Sequence, residues 1–339
     1  MRHLALSVLF VSIFLKAAVA GDFWFYEWID PPTPSKVIKK TSEGGDRENG
    51  NIMARTPLRE GDKRWVVTSF DHTPYQGQIR ALRLLNSVNR VSVLFSRRPA
   101  PVLAEEYLEL ARHWRENNIE GQFKFIDSLP NQAETAILKP LCELGVRISF
   151  ITSYFPGDDE IANLNSFGEC AKVDFALKRY FRYEDVEIIQ QLKNVPLSLT
   201  NNYFPVDSHV NNLNLIGASF ELRILETVPS ADQLAMLTQI KKLSGVFIDM
   251  DAFPSAEQYG VFEKLDPQIA RKLTLRWAFG GPRDLEFTTW SRLKPARLQI
   301  VGEALATSGT EEKLRALSAN QTEVIVEMFP LTEHTLIND

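Results

Sequence analysis

Short apolar runs recur along most of the chain at a nearly constant spacing. Each is four to six residues long and rich in β-branched or aromatic side chains, which is typical of a β-strand. Successive units are about 25 residues long, so the pattern predicts an internal structural repeat. The eleven runs are Trp65–Phe70, Val91–Phe95, Phe123–Ile126, Val146–Ile151, Val173–Leu177, Leu197–Thr200, Phe220–Leu225, Val246–Met250, Leu273–Trp277, Leu298–Val301 and Val324–Met328.

A proline follows eight of these runs, and a helical pattern begins beside it. Pro229 and Pro254 open two closely similar segments, and apolar residues at helical spacing continue through Ser230–Ile240 and Ser255–Leu265. Proline is well tolerated in the first helical turn, because the backbone N–H that it lacks has no partner there. Each unit is therefore predicted to be a strand, a loop and a short helix.

Consecutive units of this kind predict an α/β fold with parallel strands joined by right-handed crossovers. Two architectures are built from such units, an open solenoid and a closed (β/α)8 barrel. A barrel typically uses about 31 residues per unit, whereas solenoid repeats use about 20 to 29. The unit length here favours the open solenoid, with a TIM-like (β/α)8 barrel as the alternative.

Several units resemble the frame of leucine-rich repeats, L-x-x-L-x-x-L-x-L. The clearest has Leu138, Leu141 and Leu144 followed by Val146 and Ile148. Looser copies begin at Phe167, Ile189 and Trp290. The resemblance covers about residues 65–331 and implies a single repeat domain, assigned to 64–331, whose parallel sheet lines a concave surface.

The first 20 residues have the pattern of a secretory signal peptide. Arg2 gives a basic start, Leu4–Leu15 is almost wholly apolar, and small residues end at Ala20. This apolar run is shorter than the roughly 20 residues needed to span a bilayer. The protein is therefore predicted to be exported, to the periplasm or outside the cell, without a transmembrane segment.

Residues 21–63 differ from the repeat. Phe23–Tyr26 and Trp28 form an aromatic cluster, and a polar tract runs from Pro31 to about Ala54. The tract has few groups to bury and predicts a flexible strap. We interpret the aromatic cluster as a cap over the open end of the core, with an exposed platform for sugar rings as the alternative. At the other end, residues 332–339 are predicted to form a tail.

The two cysteines are candidates for a disulfide. Cys142 and Cys170 lie just before the equivalent strand starts of adjacent units. Neighbouring strands are about 4.8 Å apart, which places the two Cα atoms near the range that a disulfide requires. An oxidising compartment would allow the pair to form, whereas two free, buried cysteines are the alternative.

Charge and motifs restrict the chemistry. The chain has 38 Lys and Arg against 43 Asp and Glu, and this balance argues against nucleic-acid binding. No nucleophile elbow, phosphate loop or compact metal motif occurs, so no cofactor and no metal site is predicted. Carboxylates at strand ends leave one enzymatic alternative, a barrel hydrolase acting on glycans. The lack of a compact catalytic motif favours a protein that is not an enzyme. These carboxylates are Asp127, Asp249, Asp251, Glu303 and Glu327.

Strand alternation assigns the functional surface. In the run Val246–Met250 the residues Val246, Ile248 and Met250 are predicted to face the core, which places Phe247 and Asp249 on the concave face. A mixed polar face with an exposed Phe247 is typical of a surface that binds a protein or peptide. We therefore predict an exported, non-enzymatic binding protein. Its candidate binding residues are Arg147, Asp174, Glu221, Arg223, Phe247, Asp249 and Arg276.

Overall fold

The structure is a computed structural model. It describes residues 21–29, 59–85, 87–177, 179–225, 228–250, 252, 254–278, 282–301 and 309–328. The predicted signal peptide, the predicted strap and the predicted C-terminal tail lie outside the described residues. Within the described residues, no helix is long and apolar enough to cross a membrane.

Strands and helices alternate along the described chain. The strands are β1 Phe23–Trp28, β2 Lys63–Phe70, β3 Arg90–Phe95, β4 Glu120–Ile126, β5 Arg147–Thr152, β6 Ala171–Ala176, β7 Leu197–Asn201, β8 Phe220–Ile224, β9 Leu243–Met250, β10 Leu273–Trp277, β11 Arg297–Val301 and β12 Glu323–Met328. The helices are α1 Gln76–Leu82, α2 Ala104–Glu116, α3 Gln132–Glu143, α4 Asp158–Asn165, α5 Tyr183–Ile189, α6 Asp207–Leu215, α7 Ala231–Thr238, α8 Ala256–Phe262, α9 Pro267–Ala270, α10 Asp284–Leu293 and α11 Thr310–Ala319. Each of the eleven runs found in the sequence coincides with one of the strands β2–β12.

The strands form one closed parallel barrel. The order around the ring is β1, β12, β11 and so on down to β2, which pairs again with β1. The prediction of an α/β fold with a parallel sheet is confirmed, but the prediction of an open solenoid is wrong. The (β/α)8 alternative has the right closure and the wrong number of strands. Unit length was misleading because it is set by strand, loop and helix lengths, whereas closure depends on whether the first and last strands pair.

The strand that closes the ring is the aromatic segment. Residues of β1 pair with β12 on one side, with Phe23 opposite Val324, and with β2 on the other, with Trp24 opposite Lys63. The segment is therefore part of the barrel wall, and the interpretation as a cap over an open end is wrong. A parallel strand buried on both faces reads as a near-continuous apolar run, and β1 is apolar or aromatic from Phe23 to Tyr26, so it shows no alternation that would mark it as a strand.

Most of the described helices begin with the same capping contact, made by a side chain in the first turn. The third residue after the N-cap accepts a hydrogen bond from the N-cap backbone N–H, as Glu286 does from Arg283 at 2.6 Å. The contact satisfies a donor that the helix leaves unpaired and fixes where each helix begins. The same contact is made by Gln78, Glu134, Glu160, Asp185, Gln233 and Gln258.

The main core lies between the sheet and the helices. Its clearest feature is a row of phenylalanines in register on neighbouring strands, Phe70, Phe95, Phe125 and Phe150. Successive rings stack with centroids 5.8, 5.1 and 5.6 Å apart. All four rings face the helices, so the alternate positions of the same strands face the inside of the barrel.

The cysteine pair is a disulfide, as predicted. Cys142 lies near the end of α3, Cys170 ends a short 3-10 helix, and their Cα atoms are 5.8 Å apart. The bond joins two adjacent units on the outside of the barrel. Its presence is consistent with a secreted protein.

Candidate functional site in the barrel lumen

The candidate site is the lumen of the barrel, because closure turns the predicted concave face inward. On β9, Val246, Ile248 and Met250 belong to the core under the helices, as predicted, while Phe247 and Asp249 alternate with them. The same alternation turns all seven predicted binding residues inward. An eight-stranded barrel is just wide enough for side chains to fill its interior, and the diameter grows with the number of strands, so a ring of twelve strands has a wider interior.

The exposure of the inner side chains shows that this space is open. Lys172, Glu221 and Arg223 lie on the inner face of the closed sheet, yet their side chains keep 33%, 30% and 32% of their accessible surface. The solvent that reaches them must enter the lumen. The lumen therefore has space for water-sized groups beside these three charged side chains.

Charges on the inner face of β6–β8 form one ion-pair network. Lys172 contacts Glu221 at 2.8 Å, and Arg223 contacts Glu221 at 3.5 Å and Asp174 at 3.8 Å. Thr200 donates a hydrogen bond to Asp174 at 2.7 Å. Burial acts to raise the pKa of Glu221, but the positive charges of Lys172 and Arg223 outweigh it and hold the pKa below its ordinary value.

A second network is centred on Arg276. Its guanidinium contacts Asp249 at 3.0 Å and Glu327 at 3.0 Å, and Glu327 is almost fully buried. Burial acts to lower the pKa of Arg276, but its bonds to the two carboxylates raise it above its ordinary value. We call the inner charges of β6–β12 in these two networks the paired sector. Its members are Lys172, Asp174, Glu221, Arg223, Asp249, Arg276 and Glu327.

Phe247 is not exposed, which corrects the expectation from the sequence. Its residue keeps 8% of its accessible surface. The guanidinium of Arg223 lies 4.3 Å from its ring centroid and covers it, in a cation–π contact. The ring therefore orders an ion-pair network and is not free to bind a protein partner.

Aromatic side chains fill the lumen on the side of β1, β2 and β12. Tyr26 packs edge-on against Trp65 with centroids 4.7 Å apart, and Trp24, Val67 and Ile325 complete a buried cluster. Burial, and next the negative charge of Glu327, raises the pKa of Tyr26. The Trp24 indole N–H is buried and has no hydrogen-bond partner among the described residues.

A chain of neutral hydrogen bonds leads from this cluster into the next part of the lumen. Trp65 donates to Ser92 at 2.9 Å, Ser92 donates to the side-chain oxygen of Gln122 at 3.0 Å, and Gln122 donates to Ser149 at 3.2 Å. Ser149 Oγ thus accepts a bond, and its own proton remains available to a group in the lumen.

Two cations lie beside this chain without a counter-ion. Lys124 on β4 is half-buried and alternates with Phe123 and Phe125, and Arg147 is exposed at the start of β5. Within the described strands, these two are the inward-facing charges that make no ion pair or hydrogen bond. We call the inner face of β3–β5 the open sector. It comprises Ser92, Gln122, Lys124, Arg147 and Ser149.

Lys124 has a strongly perturbed amine. Burial, followed by the positive charges of Arg223 and Lys172, lowers the pKa of Lys124 to about 8, although the carboxylate of Asp174 acts in the opposite direction. Sequence analysis did not single out this lysine. The signal was available, because a lysine between Phe123 and Phe125 can only face away from the core.

Asp127, another of the predicted strand-end carboxylates, does not join the site. Asp127 is exposed and accepts hydrogen bonds from the backbone N–H and the hydroxyl of Ser153. Asp251 and Glu303 lie outside the described residues. Within the described part of the chain, no cluster of His, Cys, Asp or Glu is arranged to hold a metal ion.

A second cleft lies outside the lumen, between the segment that leads into α5 and the first turns of α6. It encloses about 530 Å³ and includes Tyr180 stacked on His209 with centroids 3.6 Å apart. Burial lowers the pKa of His209, which favours the neutral imidazole. Arg179 also lines this cleft and forms an ion pair with Asp185. Neither of these two charges is therefore available to a ligand.

No protein-family model matches the chain, and no curated protein matches it. The resemblance to leucine-rich repeats thus stays a prediction, and the functional argument depends on the lumen itself.

Proposed function

We propose that the protein is an exported binding protein that takes up a small organic anion in the open sector of its lumen. The observation that carries the proposal is the pair of uncompensated cations, Lys124 and Arg147, on the inner face of neighbouring strands. A protein or peptide partner on the concave face fitted an open solenoid. In a closed barrel a folded partner cannot reach that face, whereas a small molecule can.

Electrostatics favours an anion as the ligand. Lys124 is half-buried in the lumen and has no ion-pair partner, so it loses hydration that no protein carboxylate replaces. A carboxylate, sulfonate or phosphate between Lys124 and Arg147 would neutralise these cations, as protein carboxylates do in the paired sector. Charge-assisted hydrogen bonds of this kind contribute about 1.5 to 3 kcal/mol each.

The neighbouring aromatic cluster favours a ligand that also has a flat apolar part. Trp65 joins the cluster to the hydrogen-bond chain of the open sector through Ser92. An aryl group bearing an acid would meet both surfaces.

The geometry gives less support to glycan hydrolysis. A glycosidase needs one carboxylic acid that stays protonated near neutral pH, beside an ionised partner. Asp249 and Glu327 share Arg276, and Glu221 has a lowered pKa because Lys172 and Arg223 contact it. Each of these three carboxylates is bound to a cation, so none of them is placed as a free general acid.

Binding of anilinonaphthalenesulfonate, a fluorescent aryl sulfonate, tests the proposal. We expect saturable binding to the full chain with its disulfide intact, weakened by added salt. The double variant Lys124→Met, Arg147→Met should bind at least about tenfold more weakly, because each lost contact is worth about 1.4 kcal/mol or more.

The matched control is Lys241→Met, which removes an exposed lysine outside the lumen. This variant should bind the probe as the unmodified protein does. Equal affinity in the double variant and in the unmodified protein, or the absence of saturable binding, would overturn the proposal.

A further inference from the structure

Lys124 differs from the other lysine on the inner face of the central strands. Lys172 is held by Glu221 at 2.8 Å, so its amine is engaged in an ion pair. Lys124 makes no such contact within the described residues, and it lies opposite Leu94 on β3 and Ser149 on β5. Its amine is therefore directed into the lumen with a hydroxyl as its nearest polar neighbour in register.

The groups around Lys124 favour the uncharged amine. Arg90 on β3, Lys172 on β6 and Arg223 on β8 contribute positive charge, and Asp174 on β6 opposes them. The lowered pKa leaves about one tenth of the amine uncharged at pH 7, against far less than one hundredth for an ordinary lysine. Only the uncharged form of a lysine is a nucleophile, and desolvation beside other cations is a known way to produce it.

We propose that Lys124 captures the carbonyl group of an aldehyde or α-keto acid in the lumen as an imine. The inference rests on the proposed function and adds the chemical class of the ligand. The Nζ lone pair forms a bond to the carbonyl carbon, and a proton moves from nitrogen to the former carbonyl oxygen. Loss of that oxygen as water forms the C=N bond, so no oxidant or reductant is needed and the step is reversible.

The open sector supplies the other groups that this step requires. Ser149 Oγ accepts from Gln122, which leaves its proton free to support departure of water. Arg147 lies one strand across from Lys124 and two register positions toward the strand start, on the same inner face. An acidic group close to the carbonyl can therefore reach Arg147, which is why a compact keto acid or a phosphorylated aldehyde fits better than a simple ketone.

Reductive trapping of pyridoxal phosphate tests the inference, because this probe has an aldehyde, a phosphate and an aromatic ring. The full chain is incubated at pH 7 with a sub-stoichiometric amount of the probe and with cyanoborohydride, which reduces the imine and leaves the carbonyl untouched. Labelled peptides are then mapped by mass spectrometry. We expect Lys124 to be labelled at least about tenfold faster than an exposed lysine such as Lys241, because more of its amine is uncharged.

Two comparisons separate this inference from the proposed function. Lys124→Arg keeps a cation but has no nucleophilic amine, so it should lose the dominant labelled site, while its affinity for anilinonaphthalenesulfonate should fall less than that of Lys124→Met. Pyridoxal without the phosphate should label Lys124 more slowly, because it cannot pair with Arg147.

Each outcome has a definite meaning. Labelling spread over surface lysines, with binding of the sulfonate probe retained, would overturn the imine and leave the anion site intact. Loss of both binding and selective labelling in the unmodified protein would overturn both proposals. Mapping of the unmodified protein does not depend on any variant folding.

Discussion

The paired sector and the open sector lie on the inner face of the same sheet and arise from the same strand alternation. They differ in whether their charges have ion-pair partners. In the paired sector, Arg276 is shared by Asp249 and Glu327 within 3.0 Å. In the open sector, Lys124 and Arg147 have neutral neighbours instead of carboxylates. The barrel can therefore neutralise its inner charges, and it does so everywhere in the described lumen except on β4 and β5.

This difference indicates which region of the lumen is arranged for stability and which for binding. An ion pair in an enclosed space offsets the loss of hydration of both partners, whereas a lone cation does not. A folded chain that keeps a lone cation in its lumen gives up stability that a neutral side chain would retain. Sites that sacrifice stability in this way are commonly binding or reactive sites.

Removing the central cation of the paired sector should have the largest effect. Arg276→Met leaves Asp249 and Glu327 facing each other without compensation, so the free energy of unfolding should fall by about 3 kcal/mol. Urea denaturation measures the loss. Arg276→Lys should lose less, because it keeps the charge but not the planar fork that contacts both carboxylates. A loss below about 1 kcal/mol would show that water in the lumen already screens the network.

Removing Lys124 from the open sector should raise the free energy of unfolding, and the size of this gain should depend on pH. The pKa of Lys124 falls from 10.5 in the unfolded chain to about 8 in the folded protein. Below pH 8 both states are protonated, and the full cost of the buried charge is present. Between pH 8 and 10.5 the unfolded chain holds the proton more strongly, so the stability of the unmodified protein rises with pH.

Lys124→Met should therefore be more stable than the unmodified protein by about 2 kcal/mol at pH 7, allowing for partial screening in the lumen. This advantage should shrink toward zero by pH 10.5. Urea denaturation at several pH values measures it, with Lys241→Met as a control that shows no such trend. A pH-independent difference would mean that the amine of Lys124 is well hydrated.

Removing one hydroxyl group from each region should change the free energy of unfolding least. Thr200 donates to the charged Asp174 at 2.7 Å, whereas Ser149 accepts from the neutral Gln122 at 3.2 Å. Hydrogen bonds to charged groups are the stronger class, so Thr200→Val should cost about 2 kcal/mol and Ser149→Ala about 1 kcal/mol or less. Thermal unfolding of the two variants compares them. An equal or reversed order would contradict the division into two sectors.

Much of the local structure could be read from the sequence. The period located β2–β12, and alternation on β9 placed Val246 and Ile248 in the core with Asp249 on the opposite face. These features depend on residues close together in the chain, for which apolar periodicity is a direct signal. The capping side chains were missed, although a Gln or Glu three residues after each N-cap is equally local.

The candidate site was predicted only in part. All seven chosen residues lie on the inner face, because alternation fixes the face of a sheet. Their partners were not predicted, since Arg276 on β10 reaches Glu327 on β12 across a strand that lies between them. Phe247 was expected to be free because nothing local to it indicates that Arg223, on the next strand, covers its ring.

The sequence by itself determined the repeating unit, the parallel sheet, the inner and outer faces and the cysteine pairing, because each follows from short-range periodicity or from equivalent positions in adjacent units. Only the tertiary structure decided that the sheet closes. Closure depends on β1 pairing with β12, as in the contact between Phe23 and Val324 at opposite ends of the described chain. A strand whose two faces are both apolar does not indicate its partners, so the difference between an open concave surface and an enclosed lumen arises only when the ring is formed.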